Sequence, residues 1–186
     1  MISIRLLEKD DWIGLYNLIK PVNRELVGMI SDPEELVEDW INNIEERIWE
    51  VYLAILPQNE IQKEEKKIHR KIFPWKHLKE NPKGIVGLVT LYGDWKEDDD
   101  LNEGEFDIGI SVADSYQKRG IGKELMKYIL DRGEELGFKT ATLQTRTDNK
   151  SMKILAQKVG FIPSKKRKRN GHNWQKFIFD LEKRKK

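Results

Sequence analysis

Cysteine is absent from this chain of 186 residues, and its absence removes several kinds of chemistry. Without thiols, the protein can form neither a disulfide nor a zinc site with thiolate ligands. A covalent acyl-cysteine intermediate is excluded for the same reason. Any acyl transfer that this protein performs should therefore pass directly from donor to acceptor.

The sequence also lacks a long hydrophobic run and a strong excess of charge of one sign. No stretch approaches the ~20 apolar residues that a membrane helix needs, and the first dozen residues do not resemble a signal peptide. The net charge is only +2, although 35% of the residues are charged. Composition therefore predicts no general affinity for nucleic acid. We expect a cytoplasmic protein that does not enter membranes.

The residues that are present fit one folded domain. A length of 186 residues, with 38% hydrophobic residues and six Trp, is enough for a sizeable core. The hydrophobic spacing predicts an α/β protein with strands near 2–6, 49–56, 84–92, 108–112 and 140–145, a helix over 12–19, another from Asp32, and a final hairpin over 161–181. We treat 1–186 as a single domain with an insertion at about 57–83 and a basic tail at 182–186.

The most informative segment joins the strand at 108–112 to a helix that begins near Gly120. It reads Gln117-Lys118-Arg119-Gly120-Ile121-Gly122. Glycines let the backbone approach a ligand closely, and the first N–H groups of a helix lack partners and lie at the positive end of its dipole. This pattern predicts a binding site for an anion such as a pyrophosphate.

Two better-known phosphate motifs do not match this segment. A Walker loop needs a glycine five residues before Gly-Lys and a Ser or Thr after it, where this chain has Gln117 and Glu124. A dinucleotide fingerprint needs a third glycine three positions beyond Gly122, where Leu125 stands. The pattern that remains is Gln-x-x-Gly-x-Gly after a strand.

This remaining pattern resembles the acetyl-CoA signature of the GNAT superfamily of N-acetyltransferases. The likeness runs from Asp107 to Phe161 and includes Asn149, Ser151 and the Gly160-Phe161 pair. The details of this pattern are similar to those of the branch that contains ribosomal-protein alanine acetyltransferases and polyamine acetyltransferases. The resemblance implies the acyl-CoA N-acyltransferase fold: a mixed, mostly antiparallel central sheet that is flanked by helices and splayed at the cofactor site.

The resemblance also implies acetyl-CoA as the acyl donor and no metal. In similar proteins a splayed strand pairs with the pantetheine arm, the glycine loop holds the pyrophosphate, and an asparagine that begins the next helix contacts the pantetheine. The matching positions here are Ile110, Ser111, Val112, Gln117, Lys118, Arg119, Gly120, Ile121, Gly122, Lys123, Asn149 and Ser151.

Two carboxylates near the start of the central strand are candidates for a general base. An amine acceptor arrives protonated and must lose a proton before it can attack a thioester. Glu105 and Asp107 alternate with Phe106 and therefore lie on one face of the strand. Glu105 is the first choice and Asp107 the second. The alternative is that Glu105 merely begins the strand at a solvated rim.

The sequence departs from many relatives at the position of a proton donor. Those relatives have a tyrosine seven residues after the asparagine, where its hydroxyl can protonate the departing thiolate, whereas this chain has Ala156. Tyr92, Tyr116 and His172 are weaker alternatives. A thiol has a pKa near 8.5, so the thiolate can also leave with a proton from water.

The acceptor is the least readable part of the sequence. A protein N-terminus, such as that of a ribosomal protein, is the leading class, and a small amine of the polyamine type is the second. The insertion at 57–83 is either a solvated segment or a lid over the acceptor cleft. The acidic residues of the second helix either attract a cationic acceptor or solvate the helix.

Two basic blocks, at 165–169 and 183–186, leave a different class of function open. Such blocks usually carry solvated edge charge, but they could also dock the protein on RNA, the ribosome or an acidic protein surface. The alternative to an enzyme is a non-catalytic acyl-CoA sensor or a ribosome- or RNA-associated module. A homodimer also remains open.

Overall fold

The computed structural model describes residues 2–20, 32–42, 49–61, 83–93, 101–169 and 171–185. Within these ranges, strands and helices follow one another in the order that the sequence predicts. Residues 62–82 of the predicted insertion, Asn170 of the predicted hairpin turn and Lys186 of the basic tail lie outside the described residues.

Seven strands of the described chain form one sheet in the order β1-β2-β3-β4-β5-β7-β6. They are β1 Ser3–Leu6, β2 Trp49–Ile55, β3 Ile85–Gly93, β4 Glu105–Val112, β5 Thr140–Arg146, β6 Ile162–Arg169 and β7 His172–Asp180. All neighbouring strands are antiparallel except β4 and β5, which are parallel. The predicted mixed, mostly antiparallel sheet is confirmed.

Helices cover both faces of this sheet. They are α1 Trp12–Ile19, α2 Pro33–Asn42, α3 Ile121–Glu135 and α4 Lys150–Val159. The helix α2 begins as predicted, because the side chain of Asp32 accepts a hydrogen bond of 3.0 Å from the backbone of Glu34. Among the described helices, none is long and apolar enough to cross a membrane.

The alternation of side chains along the strands divides the core into two layers. On one face, α1 and α2 pack against residues such as Val51 and Leu53. On the other face, α3 and α4 pack against residues such as Tyr52, Phe106 and Ile108. We refer to these as the α1/α2 face and the α3/α4 face.

The junction between β4 and β5 is unusually short. Only three residue pairs join them, and the last is Asp107 with Thr142. Beyond it, β4 continues to Val112 paired with β3, while β5 continues to Arg146 paired with β7. The two strands therefore separate into a V that is open toward their C-terminal ends, which confirms the predicted splay.

Candidate active site

The glycine loop (residues 117–123) has the conformation of an anion site. Gly120 caps α3 with a positive φ of 89°, and Lys118 also has a positive φ of 60°. The N–H groups of Lys123 and Glu124 bind the carbonyl of Gly120. The N–H groups from Arg119 to Gly122 make no hydrogen bond within the described part of the chain. Four donors at the positive end of α3 are thus available to a ligand.

The two glycines of this loop have different roles. A Cβ at Gly120 would meet no atom within 4 Å, so the space above this residue is open. A Cβ at Gly122 would lie 3.1 Å from Leu155, because α4 packs closely there. Gly120 therefore supplies the backbone turn and the open approach, whereas Gly122 permits the contact between α3 and α4.

Two side chains hold the glycine loop against the end of β4. The amide of Gln117 donates hydrogen bonds to the carbonyl of Val112 at 3.1 Å and to Asp114 at 2.8 Å. The guanidinium of Arg119 lies over the ring of Tyr116, 4.7 Å from its centroid. This contact therefore holds the guanidinium of Arg119 within the loop that carries the free N–H groups.

The hydrogen bonds of β4 show which of its backbone groups face the V. Gly109 donates to the hydroxyl of Thr90 at 3.0 Å, and Ala113 donates to the carbonyl of Val86 on β3. Because backbone groups alternate in direction along a strand, those of Ile110 and Val112 point away from β3 and into the V. Ser111 turns its backbone toward β3, where it pairs with Leu88.

Asp107 lies at the apex of the V. It belongs to the last pair of the β4–β5 ladder, and the hydroxyl of Thr142 donates a hydrogen bond of 2.7 Å to its Oδ1. Because Phe106 and Ile108 enter the core against α3, Asp107 lies on the α1/α2 face. Its carboxylate is thus on the opposite side of the sheet from α3.

Glu105 is held in a different way. Its Oε2 accepts a hydrogen bond from the backbone of Asn102 and lies 3.4 Å from Nζ of Lys176. Burial alone would raise the pKa of Glu105, but the bonds from Asn102 and the charge of Lys176 outweigh burial, and the pKa is lowered. A carboxylate with a lowered pKa is a weaker base, and Glu105 also lies two residues before the apex of the V.

Two aromatic residues are aligned with Asp107 across the neighbouring strands. Trp49 pairs with Tyr92, and Tyr92 pairs with Asp107, on the α1/α2 face of β2, β3 and β4. The ring centroids of Trp49 and Tyr92 are 4.4 Å apart. The side of Asp107 toward β3 is therefore bordered by an aromatic wall.

The remaining predicted residues lie at the start of α4. Asn149 caps this helix, since its Oδ1 accepts a hydrogen bond of 3.1 Å from the backbone of Met152. Ser151 is exposed, and Ala156 is fully buried among core residues. A larger side chain at position 156 would have to displace that core. This position therefore provides no side chain that could protonate the departing thiolate.

Sequence reasoning missed three polar side chains near the apex. Thr142 and Lys176 contact the two carboxylates, and Thr90 binds the backbone of Gly109. Each of these partners comes from another strand and becomes a neighbour only through the register of the sheet. Only Thr90 carried a signal in the sequence, as a polar residue within the otherwise apolar strand β3.

A splayed sheet beside the unpaired N–H groups of a helix fits an extended ligand that carries phosphate groups, as an acyl-CoA does. The sequence matches the Acetyltransferase (GNAT) family over residues 34–161, and the chain belongs to this family. It is an acetyl-CoA-dependent N-acetyltransferase. No curated protein matches the sequence.

Solved structures share the fold at low sequence identity. A spermidine N-acetyltransferase from Vibrio cholerae in complex with CoA and spermine has a TM-score of 0.69 and 18% identity, covering 100% of this chain and 98% of that one. A chimera of the Vibrio cholerae enzyme with hSSAT has a TM-score of 0.70 and 18% identity, covering 98% and 96%. A putative acetyltransferase, yncA, from Salmonella typhimurium with its cofactor acetyl-CoA has a TM-score of 0.67 and 13% identity, covering 97% and 94%.

Proposed function

We propose that the chain transfers the acetyl group of acetyl-CoA directly to the amine of a protein N-terminus. The observation that carries the proposal is the break in the β4–β5 ladder beside the free N–H groups of α3. The break provides room for an extended thioester, and the free N–H groups provide a site for its pyrophosphate. Asp107 stands where the two strands part.

The residues of the V fit acetyl-CoA, which supplies the activated acetyl group when it is bound. The N–H groups from Arg119 to Gly122 would hold its phosphates, aided by the charges of Lys118, Arg119 and Lys123. The backbone groups of Ile110 and Val112 would pair with its pantetheine amides, as an added strand would. Asn149 and Ser151, at the start of α4, remain predicted contacts with acetyl-CoA.

The acceptor amine is proposed to approach from the α1/α2 face, because the glycine loop and α3 hold acetyl-CoA from the other. There, Asp107 would take a proton from the ammonium group, with its Oδ1 held by the hydroxyl of Thr142. The N–H of Ile110 would donate a hydrogen bond to the thioester carbonyl. Glu105, the first choice from sequence, remains a second candidate base.

A small polyamine is the second candidate acceptor. It is supported by the likeness to spermidine N-acetyltransferases and by the acidic residues of α2. Four of these acids, however, are exposed on the outer surface of α2: Glu34, Glu35, Glu38 and Asp39. Such a position gives a polyamine no direct route to Asp107, so we place the peptide amine first.

Release of the CoA thiol from acetyl-CoA tests the proposal. We expect release with peptides that carry a free N-terminal Ala, Ser or Met, and none with the same peptides after N-terminal blocking. Thiol release with spermidine but with none of the peptides would mean that the acceptor is a polyamine and not a protein N-terminus. Tight binding of acetyl-CoA, measured by calorimetry, without release from any amine would instead indicate a sensor.

A further inference from the structure

Thr90 lies beside the part of β4 that borders the V. Among the buried residues of β3 it carries the one polar side chain. Its partner on β2 is Val51, which packs on the α1/α2 face, and its partner on β4 is Gly109. Paired residues share a face of the sheet, so Thr90 lies on the same face as Asp107, one pleat further along β4.

The single hydroxyl of Thr90 contacts both peptide groups that flank Gly109. Its Oγ1 accepts a hydrogen bond of 3.0 Å from the N–H of Gly109. The same hydroxyl donates to the carbonyl of Gly109 at 3.5 Å, which is a longer and weaker contact. The first contact restrains the peptide group before Gly109, and the second restrains the peptide group after it. Together they limit rotation at a residue whose backbone would otherwise have the most freedom.

Room for this hydroxyl exists because residue 109 has no side chain. A Cβ at Gly109 would lie 2.6 Å from Oγ1 of Thr90, which is closer than a Cβ contact can be. A buried hydroxyl costs free energy unless it is hydrogen-bonded, and valine would suit the interior of a strand equally well. Thr90 and Gly109 are therefore matched to each other in a way that strand packing alone does not require.

The peptide group after Gly109 also carries the N–H of Ile110. The carbonyl of one residue and the N–H of the next lie in one plane and point in opposite directions. Because the Gly109 carbonyl is directed toward Thr90 on β3, the Ile110 N–H is directed away from β3 and into the V, beyond the last pair of β4 and β5. Thr90 thus controls the orientation of a donor that it does not contact.

We infer that Thr90 is a positioning residue for acetyl transfer, because its hydroxyl holds the Gly109–Ile110 peptide group so that the Ile110 N–H binds the thioester carbonyl. This inference rests on the proposed function, since it requires acetyl-CoA in the V. A hydrogen bond to the carbonyl of an amide also polarises its N–H and makes it a stronger donor. That donor stabilises the negative charge that develops on the thioester oxygen as the amine attacks.

Thr90→Ser and Thr90→Ala form a matched pair of variants, because they differ only in the hydroxyl. With a peptide acceptor, we expect Thr90→Ala to lower kcat about tenfold, which is less than the ~100-fold cost of removing an oxyanion donor directly. The KM for acetyl-CoA should change little, since the glycine loop still holds the phosphates. Thr90→Ser should retain most of the original kcat. Equal kcat values in the two variants would overturn the inference.

Infrared spectroscopy of bound acetyl-CoA, isotopically labelled at its thioester carbonyl, tests the same contact without an acceptor. A hydrogen bond from Ile110 weakens the C=O bond, so the carbonyl band should move to lower frequency on binding to the unmodified protein and to Thr90→Ser. In Thr90→Ala the band should lie closer to its position in free acetyl-CoA. No shift in the unmodified protein, or the same band in both variants, would overturn the inference.

Val51→Ala is the control for a loss of packing. Val51 pairs with Thr90 and is buried on the same face, but it lies on β2 and has no partner on β4. This variant should lower the midpoint of urea unfolding and leave both kcat and the carbonyl band unchanged. A band that moves as it does in Thr90→Ala would assign the effect to packing and overturn the inference.

The inference and the proposed function can fail separately. If acetyl-CoA does not bind, both are wrong. If the carbonyl band of bound acetyl-CoA responds to the Thr90 hydroxyl but no peptide is acetylated, only the peptide acceptor is wrong. If Thr90→Ala and Thr90→Ser acetylate peptides equally well, the inference is wrong and the proposed function stands.

Discussion

Thr142 and Asp107 form the last link between β4 and β5, with the Thr142 hydroxyl 2.7 Å from Oδ1 of Asp107. Thr142 is fully buried and Asp107 is partly exposed, so this bond joins the core of the protein to the open V. The hydroxyl binds one carboxylate oxygen and thereby fixes the plane of the carboxylate. The two halves of the sheet thus meet at the carboxylate that we propose as the base.

Replacing Asp107 by Asn should lower kcat about 100-fold or more, since the amide cannot accept the proton of the ammonium group. Binding of acetyl-CoA, measured by calorimetry, should stay unchanged. The control is Glu105→Gln, for which we expect a much smaller loss of kcat. A larger loss in the Glu105 variant would restore Glu105 as the base.

Replacing Gly120 by Glu should abolish binding of acetyl-CoA, because a carboxylate would occupy the open space beside the free N–H groups. Gly137→Glu is a matched control. Gly137 has a φ of 86°, close to the 89° of Gly120, and its Cβ would also meet nothing within 4 Å. Both variants carry the same strain and charge, so a loss of binding in both would argue against the glycine loop as the phosphate site.

Replacing Gly133 by Ala should destabilise the protein, although alanine favours helices. A Cβ at Gly133 would overlap the ring of Phe106. Relief of this clash must move α3 away from β4, at a cost of about 2 kcal/mol or more. Urea unfolding should show a larger loss than in Gly137→Ala, which adds only ~1 kcal/mol of backbone strain. An unchanged urea midpoint for Gly133→Ala would contradict this prediction, because it would mean that the Phe106 ring can move aside without cost.

The carboxylate of Asp11 should make the free energy of unfolding depend on pH. Its buried carboxylate binds Arg5 through two bonds of 2.7 Å and lies 3.1 Å from Lys83. Burial would raise the pKa of Asp11, but Arg5, the Glu8 N–H and Lys83 together lower it. A lowered pKa in the folded state contributes stability above the unfolded value of about 3.9, and this contribution is lost as the pH falls.

We therefore expect Asp11→Asn to cost about 3 kcal/mol at pH 7, as for a broken buried ion pair. The difference from the unmodified protein should remain constant down to about pH 5 and shrink below pH 4. Asp148→Asn is the control, since Asp148 also pairs with an arginine but is exposed, and it should have little effect. A difference that grows at low pH would have the wrong sign for this explanation.

Local features of the sequence predicted much of the fold. Asp32, Asn149 and Gly120 each signal the start of a helix through their own chemistry, and all three occupy those positions. The alternation from Glu105 to Val112 likewise predicted the two faces of β4. These features depend on neighbours within a few residues, which a sequence displays directly.

The contacts that decide the chemistry could not be predicted in this way. Lys176 reaches Glu105 across 71 positions of sequence, and Thr142 reaches Asp107 across 35. The register of a parallel strand pair determines which residues meet, and a shift of one residue would bring other side chains together. The preference for Asp107 over Glu105 therefore comes only from the folded protein.

The three-pair junction between β4 and β5 also bears on the lifetime of the protein. The sheet is nearly divided into one half from β1 to β4 and another from β5 to β6, and a bound thioester would serve as the strand between them. A ligand present at 100 times its Kd adds about 2.7 kcal/mol to the free energy of unfolding. Resistance to heat and to proteases should therefore rise and fall with the supply of acetyl-CoA, so that the protein persists when its substrate is plentiful.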